Sequence, residues 1–302
     1  MSFALRDDES VRKGVKRTVR KEFKDALDLL TYSENESVDE RVHSVRKSFK
    51  RVRAIVRLVR YSLEDSEYRF ENEIFRDASR PHSEIRDAKI WLETLDKLRK
   101  SSDGHPKLAF RTASRFLVEQ QKQLRKKVLK DQHGLERTSD VLKAAIQRVN
   151  DWDGISNKWQ ELALGIGQVY RQGRKAAKQV KLDPSVANLH EWRKQIKYLR
   201  HQLELLTPIE PTIVGTLAGH AESVGDLLGE DHDLAVLREK LSAEVAGERI
   251  ARHMTVLGPL IDDERQSIQV EAIPKGKMLF RDNPKKFVNR LKNFWREWAE
   301  SA

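Results

Sequence analysis

The side chains best placed for chemistry are basic and come in rows. His43, Arg46, Lys50, Arg53 and Arg57 step by three and four residues. On an α-helix that spacing stacks them on one face, along about 21 Å of axis at 1.5 Å per residue. Lys47 and Arg51 widen the row. One residue before each of these cations stands an apolar one: Val42, Val45, Phe49, Val52 and Val56. The cations therefore border a stripe that must be buried against other helices. Not one Asp or Glu occurs between Arg41 and Leu63. Like charges at i,i+3 and i,i+4 cost about 0.2–0.5 kcal/mol per pair, so the row costs roughly 1–2 kcal/mol. An ordinary solvated face mixes signs. A self-repelling row predicts an anionic partner. Lys and Arg donate to phosphate oxygens, and His joins them once protonated.

The row occurs twice. VHSVRKSFKRVRAIV from Val42 matches LHEWRKQIKYLRHQL from Leu189. His190, Arg193, Lys194, Lys197 and Arg200 fall on His43, Arg46, Lys47, Lys50 and Arg53, each 147 residues later. The apolar residues Leu189, Trp192, Ile196, Leu199 and Leu203 also coincide with their counterparts. Downstream, RDAKIWLETL from Arg86 matches HDLAVLREKL from His232, with Asp87 against Asp233. A match over half a chain of 302 residues reads as two similar units in tandem, 1–150 and 151–302.

The elements that carry these rows read as helices almost throughout. Helical period covers Val11–Leu30, Val38–Leu63, Phe70–Ser79, Ser83–Lys100, Lys107–Leu129, Leu135–Val149, Lys158–Val180 and Ser185–Leu206. It resumes over Ile213–Leu228, Asp233–Leu241, Val245–Val270 and Asn283–Ala299. Breaks are expected at Pro81, Gly104–Pro106, Gly154, Pro184, Pro208–Pro211, Gly229, Pro274 and Pro284. The fold class is all-α.

Composition narrows the function. Lys and Arg number 58 against 47 Asp and Glu, a formal charge of +11. Mean hydropathy is −0.68, and no apolar run reaches the 18–20 residues of a membrane span. The N-terminus shows no signal-peptide core, so a cytoplasmic protein is expected. There is no Cys, which excludes disulfides and thiolate chemistry. G-x-x-x-x-G-K-[ST], H-E-x-x-H and G-x-S-x-G are all absent. His232–Asp233, with His201, His220 and Asp262–Asp263, permits an HD-type metal phosphohydrolase reading. The repeat argues against it, because the counterpart of His232 is Arg86, which cannot ligate a metal. His82, His105, His133 and His253 follow no pattern and read as surface groups. No aromatic sits on the basic rows, so base-stacking platforms are not visible. A nucleic-acid-binding protein, gripping a duplex by charge alone, or a scaffold protein using the same rows remains the competing reading.

The two motifs, H-x-x-R-K-x-x-K-x-x-R at His43 and again at His190, resemble the signature of the CHAD family, the conserved-histidine α-helical domain. The stretches Tyr170-Arg171-Gln172-Gly173-Arg174, Asp183-Pro184, Arg86-Asp87, His232-Asp233 and KMLFRDNPKKF extend the resemblance over nearly the whole chain. It implies two pseudo-symmetric four-helix bundles whose basic helices face a shared cleft or pore. It also implies binding of inorganic polyphosphate, and of other phosphate-rich polyanions, by a protein of polyphosphate granules. Many relatives carry a CYTH domain; this chain is read as the helical part alone. The expected ligand residues are the two rows, with Arg86, Arg174 and His232 in support. Neither cofactor, metal nor catalysis is expected. Glu191, inside the second row, and Arg86 opposite His232 depart from equal halves.

Overall fold

In the computed structural model, which describes residues 3–32, 38–78, 83–102, 107–130, 133–243 and 247–300, the two basic rows lie on paired helices. They are α2 (Val38–Leu58) and α8 (Val186–Leu206), which pack against one another. Val42, Val45, Phe49, Val52 and Val56 are buried on α2, and Leu189, Trp192, Ile196, Leu199 and Leu203 on α8. Each such burial is worth roughly 1.5–3 kcal/mol before entropy is charged. Five of them outweigh the like-charge repulsion along either row. The apolar stripe therefore forces the cations into position.

Every regular element among the described residues is helical. The others are α1 (Val11–Tyr32), α3 (Asp65–Ala78), α4 (Ser83–Ser101), α5 (Lys107–Lys130) and α6 (His133–Arg148). Then come α7 (Trp159–Leu182), α9 (Pro211–Ser242), α10 (Gly247–Leu279) and α11 (Pro284–Glu300). The repeat holds element by element. Short 3-10 turns at Arg60–Ser62 and Thr207–Ile209 stand 147 residues apart, the same offset as the motifs. α1 corresponds to α7, α2 to α8, α5 to α10 and α6 to α11. The pair α3 and α4 corresponds to the single long helix α9. Packing follows suit: α1 on α2 and α6 mirrors α7 on α8 and α11. Equivalent elements also meet each other, α2 with α8, α4 with α9 and α5 with α10.

Both hydrophobic cores draw on both halves of the chain. One gathers α1, α2, α3 and α6 with α7, α8, α11 and the first part of α9. The other joins Trp91, Leu95 and Leu98 of α4 and Phe110 and Leu117 of α5. Leu234, Leu237 and Leu241 of α9 and Leu257 and Ile261 of α10 complete it. The cores cross the 150/151 boundary expected from the sequence.

Four boundary expectations change. The Val38–Leu63 segment leaves the α-helix at Leu58 for the 3-10 turn, and α3 starts at Asp65, ahead of Phe70. Gly229 does not stop α9. A Cβ there would sit 3.4 Å from the Arg193 guanidinium, at ordinary contact distance. Pro274 lies inside α10, which runs on to Leu279. The carbonyl it strands, that of Val270, is on an exposed residue where water can serve it. Pro81, His82, His105 and Gly104–Pro106 lie outside the described residues.

Candidate functional site

Facing stretches of α2 and α8, closed on one side by α3, line a cavity of about 610 Å³. From α2 come Lys50, Arg53 and Arg57. From α8 come His190, Arg193, Lys194 and Lys197. Tyr198, His201, Asn72 and Arg76 complete the wall. Seven of the residues expected from the two rows thus meet in one place.

The electrostatics are those of cations held apart from anions. Lys50 has no carboxylate within ion-pair distance among the described residues. The surrounding walls desolvate its ammonium, and Arg46 and Arg193 add repulsion, so its pKa is lowered to about 8. The side chain remains solvent-accessible because the wall is concave. Lys197, the repeat counterpart of Lys50, is lowered to about 7 by burial, then by Arg193 and Lys50. Burial also lowers Arg193, although the fields of Asp233 and Asp226 oppose it. Arg193 Nε is buried with no hydrogen-bond partner. Arg53 and Arg57 are fixed without being neutralised. Arg53 Nε donates to Asn72 Oδ1 at 3.3 Å and Arg57 Nη1 to the same oxygen at 2.6 Å. The Arg57 guanidinium lies 4.0 Å above the Tyr198 ring centroid. An amide and a ring orient guanidinium groups but leave their charge available. A second cavity of about 290 Å³ continues past Arg57, Lys194 and Tyr198 toward Arg60, Gln168 and Gln172.

The remaining candidates stand outside this cavity. Arg46 lies 3.6 Å from Asp87. Asp87 has its pKa raised by burial, against the pull of Arg46, and Asp233 is raised by burial against Arg193. His43 is lowered by burial and by Arg86, Lys50 and Lys47. The rings of His190 and His232 are 4.7 Å apart. His190 is lowered by burial and by Arg193, and His232 reaches about 4 by burial, Arg193 and His190. His232 Nδ1 is buried and unpartnered. Arg86 and His232 thus hold equivalent places beside the first His of each row, though Arg86 also reaches Glu93 at 3.8 Å. Lys47 is exposed and lines no wall of the cavity.

Three expected ligand residues are committed inside the protein. Arg51 pairs with Glu22 at 3.0 Å and packs on the Phe3 ring, because its place on α2 faces α1. Arg200 is held by Glu204 at 2.7 Å and Glu222 at 2.5 Å. Burial would raise the Glu204 carboxyl, but His201 and Arg200 outweigh it and hold it near pKa 2. Arg174 donates from Nη1 to the Asp282 carbonyl, on the α10–α11 connection. Beside it, Tyr170 donates to the carbonyls of Leu279 and Asp282 and stacks on Phe287 at 3.9 Å. A Cβ at Gly173 would run into the Phe280 ring. The YRQGR and LFRDNPKKF stretches are therefore a clamp between α7 and α11, not a ligand site. Lys194 lines the cavity but is paired with Glu191.

Asn72, Arg76, Tyr198 and His201 escaped the reading of the sequence. Asn72 and Arg76 lie on α3, which has no motif. Tyr198 and His201 lie on α8 itself, where stepping by four from Lys194 and Lys197 would have found them. The HD-type donor set is not assembled. His201 is engaged by Glu204 and Asp262 by Arg238. Among the described residues no three His, Asp or Glu gather where they could hold a metal ion.

A family model for the CHAD domain matches residues 21–242. The chain belongs to the CHAD family. Its fold is similar to that of a solved structure, PptA from Streptomyces chartreusis, with a TM-score of 0.64. That likeness spans 91% of this chain and 100% of the other at 14% identity. No curated protein matches the chain. No described helix is long and apolar enough to cross a membrane.

Proposed function

We propose that this protein binds inorganic polyphosphate in the cavity between α2 and α8, without turning it over, as a component of cytoplasmic polyphosphate granules. The carrying observation is that Lys50 and Lys197, from opposite halves of the chain, face one cavity with no carboxylate partner among the described residues. Such groups are costly to hold in a free protein and gain most from a polyanion. Arg53, Arg57 and Arg193 supply further donors along the same wall, which suits a thread of phosphates. Lys50 and Lys197 are the one pair of repeat counterparts in the two rows that both line the cavity; the other donors come from non-equivalent positions on α2 and α8. His43, Arg46, Arg86, Lys47, His190 and His232 serve its entry at the rim. Family membership supports the reading, since the CHAD motif is the one the two rows reproduce.

Titration with polyphosphate of defined length tests this. Removing one charged hydrogen bond costs about 1.5–3 kcal/mol, so Lys50→Gln/Lys197→Gln is expected to weaken binding roughly 100-fold or more. Arg46→Glu/Arg193→Glu is expected to abolish it. Wild-type affinity in both variants would refute the proposal. Competition separates polyphosphate from nucleic acid: at matched charge, polyphosphate displaces labelled RNA or duplex DNA, and the reverse exchange is weak.

A further inference from the structure

A second row of cations runs along the outside of the molecule, on α5. Successive residues of a helix advance by 100°, so Lys107, Arg111, Arg115, Lys122 and Lys126 share an arc of about 100° over roughly 29 Å. All five are exposed. None has an ion-pair partner among the described residues. Glu119 stands at the border of the arc, where its carboxylate meets Gln123 at 3.5 Å. Three like-charge pairs at i,i+4 cost about 1 kcal/mol together, the same unfavourable pattern as on α2. Among the side chains described on this side of the helix, only Leu108 and Val118 are apolar and exposed, too little for insertion into a bilayer. No exposed aromatic stands on the arc to stack on bases: Phe110 is buried and Phe116 is half-buried.

The position of α5 favours one partner. α5 packs on α4, and α4 packs on α2, so the outer row lies one helix away from the inner one. Resting on the polyphosphate reading of the cavity, we propose that α5 is an outer tract for long polyphosphate, engaging the part of the chain that extends beyond the cavity. A convex, solvated face binds weakly by itself. A thread already anchored inside reaches it at high effective concentration.

The test compares tripolyphosphate with long-chain polyphosphate on the full chain. Arg111→Gln/Arg115→Gln/Lys122→Gln is expected to weaken long-chain binding about tenfold and leave tripolyphosphate binding unchanged. Its salt slope, log K against log salt, is expected to flatten by about 2, at about 0.7 for each phosphate that is no longer neutralised. Because all three side chains are exposed and their substitution relieves the like-charge pairs, melting by circular dichroism should be no lower than wild type. Unchanged long-chain affinity in this variant, with weakened binding in Lys50→Gln/Lys197→Gln, overturns the outer tract and leaves the cavity reading standing. Weakening only in the α5 variant overturns the cavity reading instead. A variant that loses affinity for RNA or for anionic vesicles, but not for long polyphosphate, also overturns the outer tract.

Discussion

Lys50 and Lys197 change what pH reports on. Reading the rows alone assigned pH sensitivity to His43 and His190, with tighter binding as they charge. Both histidines are lowered from their ordinary value, and His232 to about 4, which moves their effect toward acid. Burial brings two further groups of the site into the range between pH 8 and 6, Lys50 near 8 and Lys197 near 7. Bound phosphate favours their charged forms, so binding at pH 8 is expected to take up protons. Calorimetry in buffers of different ionisation enthalpy checks this; zero uptake would contradict it. For the free protein the sign is opposite. A lysine whose folded pKa lies below its unfolded value contributes stability that is present above about pH 10.5 and lost as pH falls through 8 and 7. His232 adds a further loss between about pH 6.5 and 4. The free protein should melt higher at pH 9 than at pH 6, and saturating polyphosphate should shrink that difference. Lys197→Met removes a desolvated cation and is expected to raise stability by roughly 0.5–2 kcal/mol while weakening binding. A variant both less stable and fully able to bind would count against this account.

At the scale of the helix, the clamp and the cavity make separable predictions. Arg174→Ala and Gly173→Ala strike the α7–α11 clamp, and both are expected to lower the melting temperature, Gly173→Ala more. Affinity at a temperature where the protein is folded should stay within about twofold, a difference of under 0.5 kcal/mol. A large affinity loss from Arg174→Ala would return that residue to the binding site. Gly229→Ala is expected to leave affinity and stability near wild type, because a Cβ there meets the Arg193 guanidinium at ordinary contact distance, 3.4 Å. The faces of α2 and α8 were legible because apolar and basic residues share one three-and-four rhythm. The commitments of Arg51, Arg200 and Arg174 were not, because their partners lie on other elements: Glu22 on α1, Glu222 on α9 and Asp282 on the α10–α11 connection. Asn72 was hidden for the same reason. Gly229 reads as a helix stop, but a single glycine costs a helix only about 1 kcal/mol, and the packing of α9 on both sides of it carries the helix through.

Across the whole molecule, the repeat was visible but the way its halves interlock was not. Two tandem bundles and two interlocked ones bury the same apolar stripes, so periodicity cannot choose between them. The shared cores of α4 and α5 with α9 and α10 make the halves interdependent. Unfolding is expected to be one cooperative transition. Residues 1–150 alone should lack a stable near-ultraviolet signal, having left Trp91 and Phe110 without their partners on α9 and α10. Two separated transitions, or a folded half, would argue for independent bundles. The same interlocking brings Lys50 and Lys197 to one cavity. The most direct measurement follows those two side chains by lysine NMR while polyphosphate of defined length is added. Their signals should titrate near pH 8 and 7 in the free protein, then move saturably to higher pKa at stoichiometric ligand. Signals that ignore the ligand, or titrate as exposed lysines throughout, would contradict a polyphosphate site between α2 and α8.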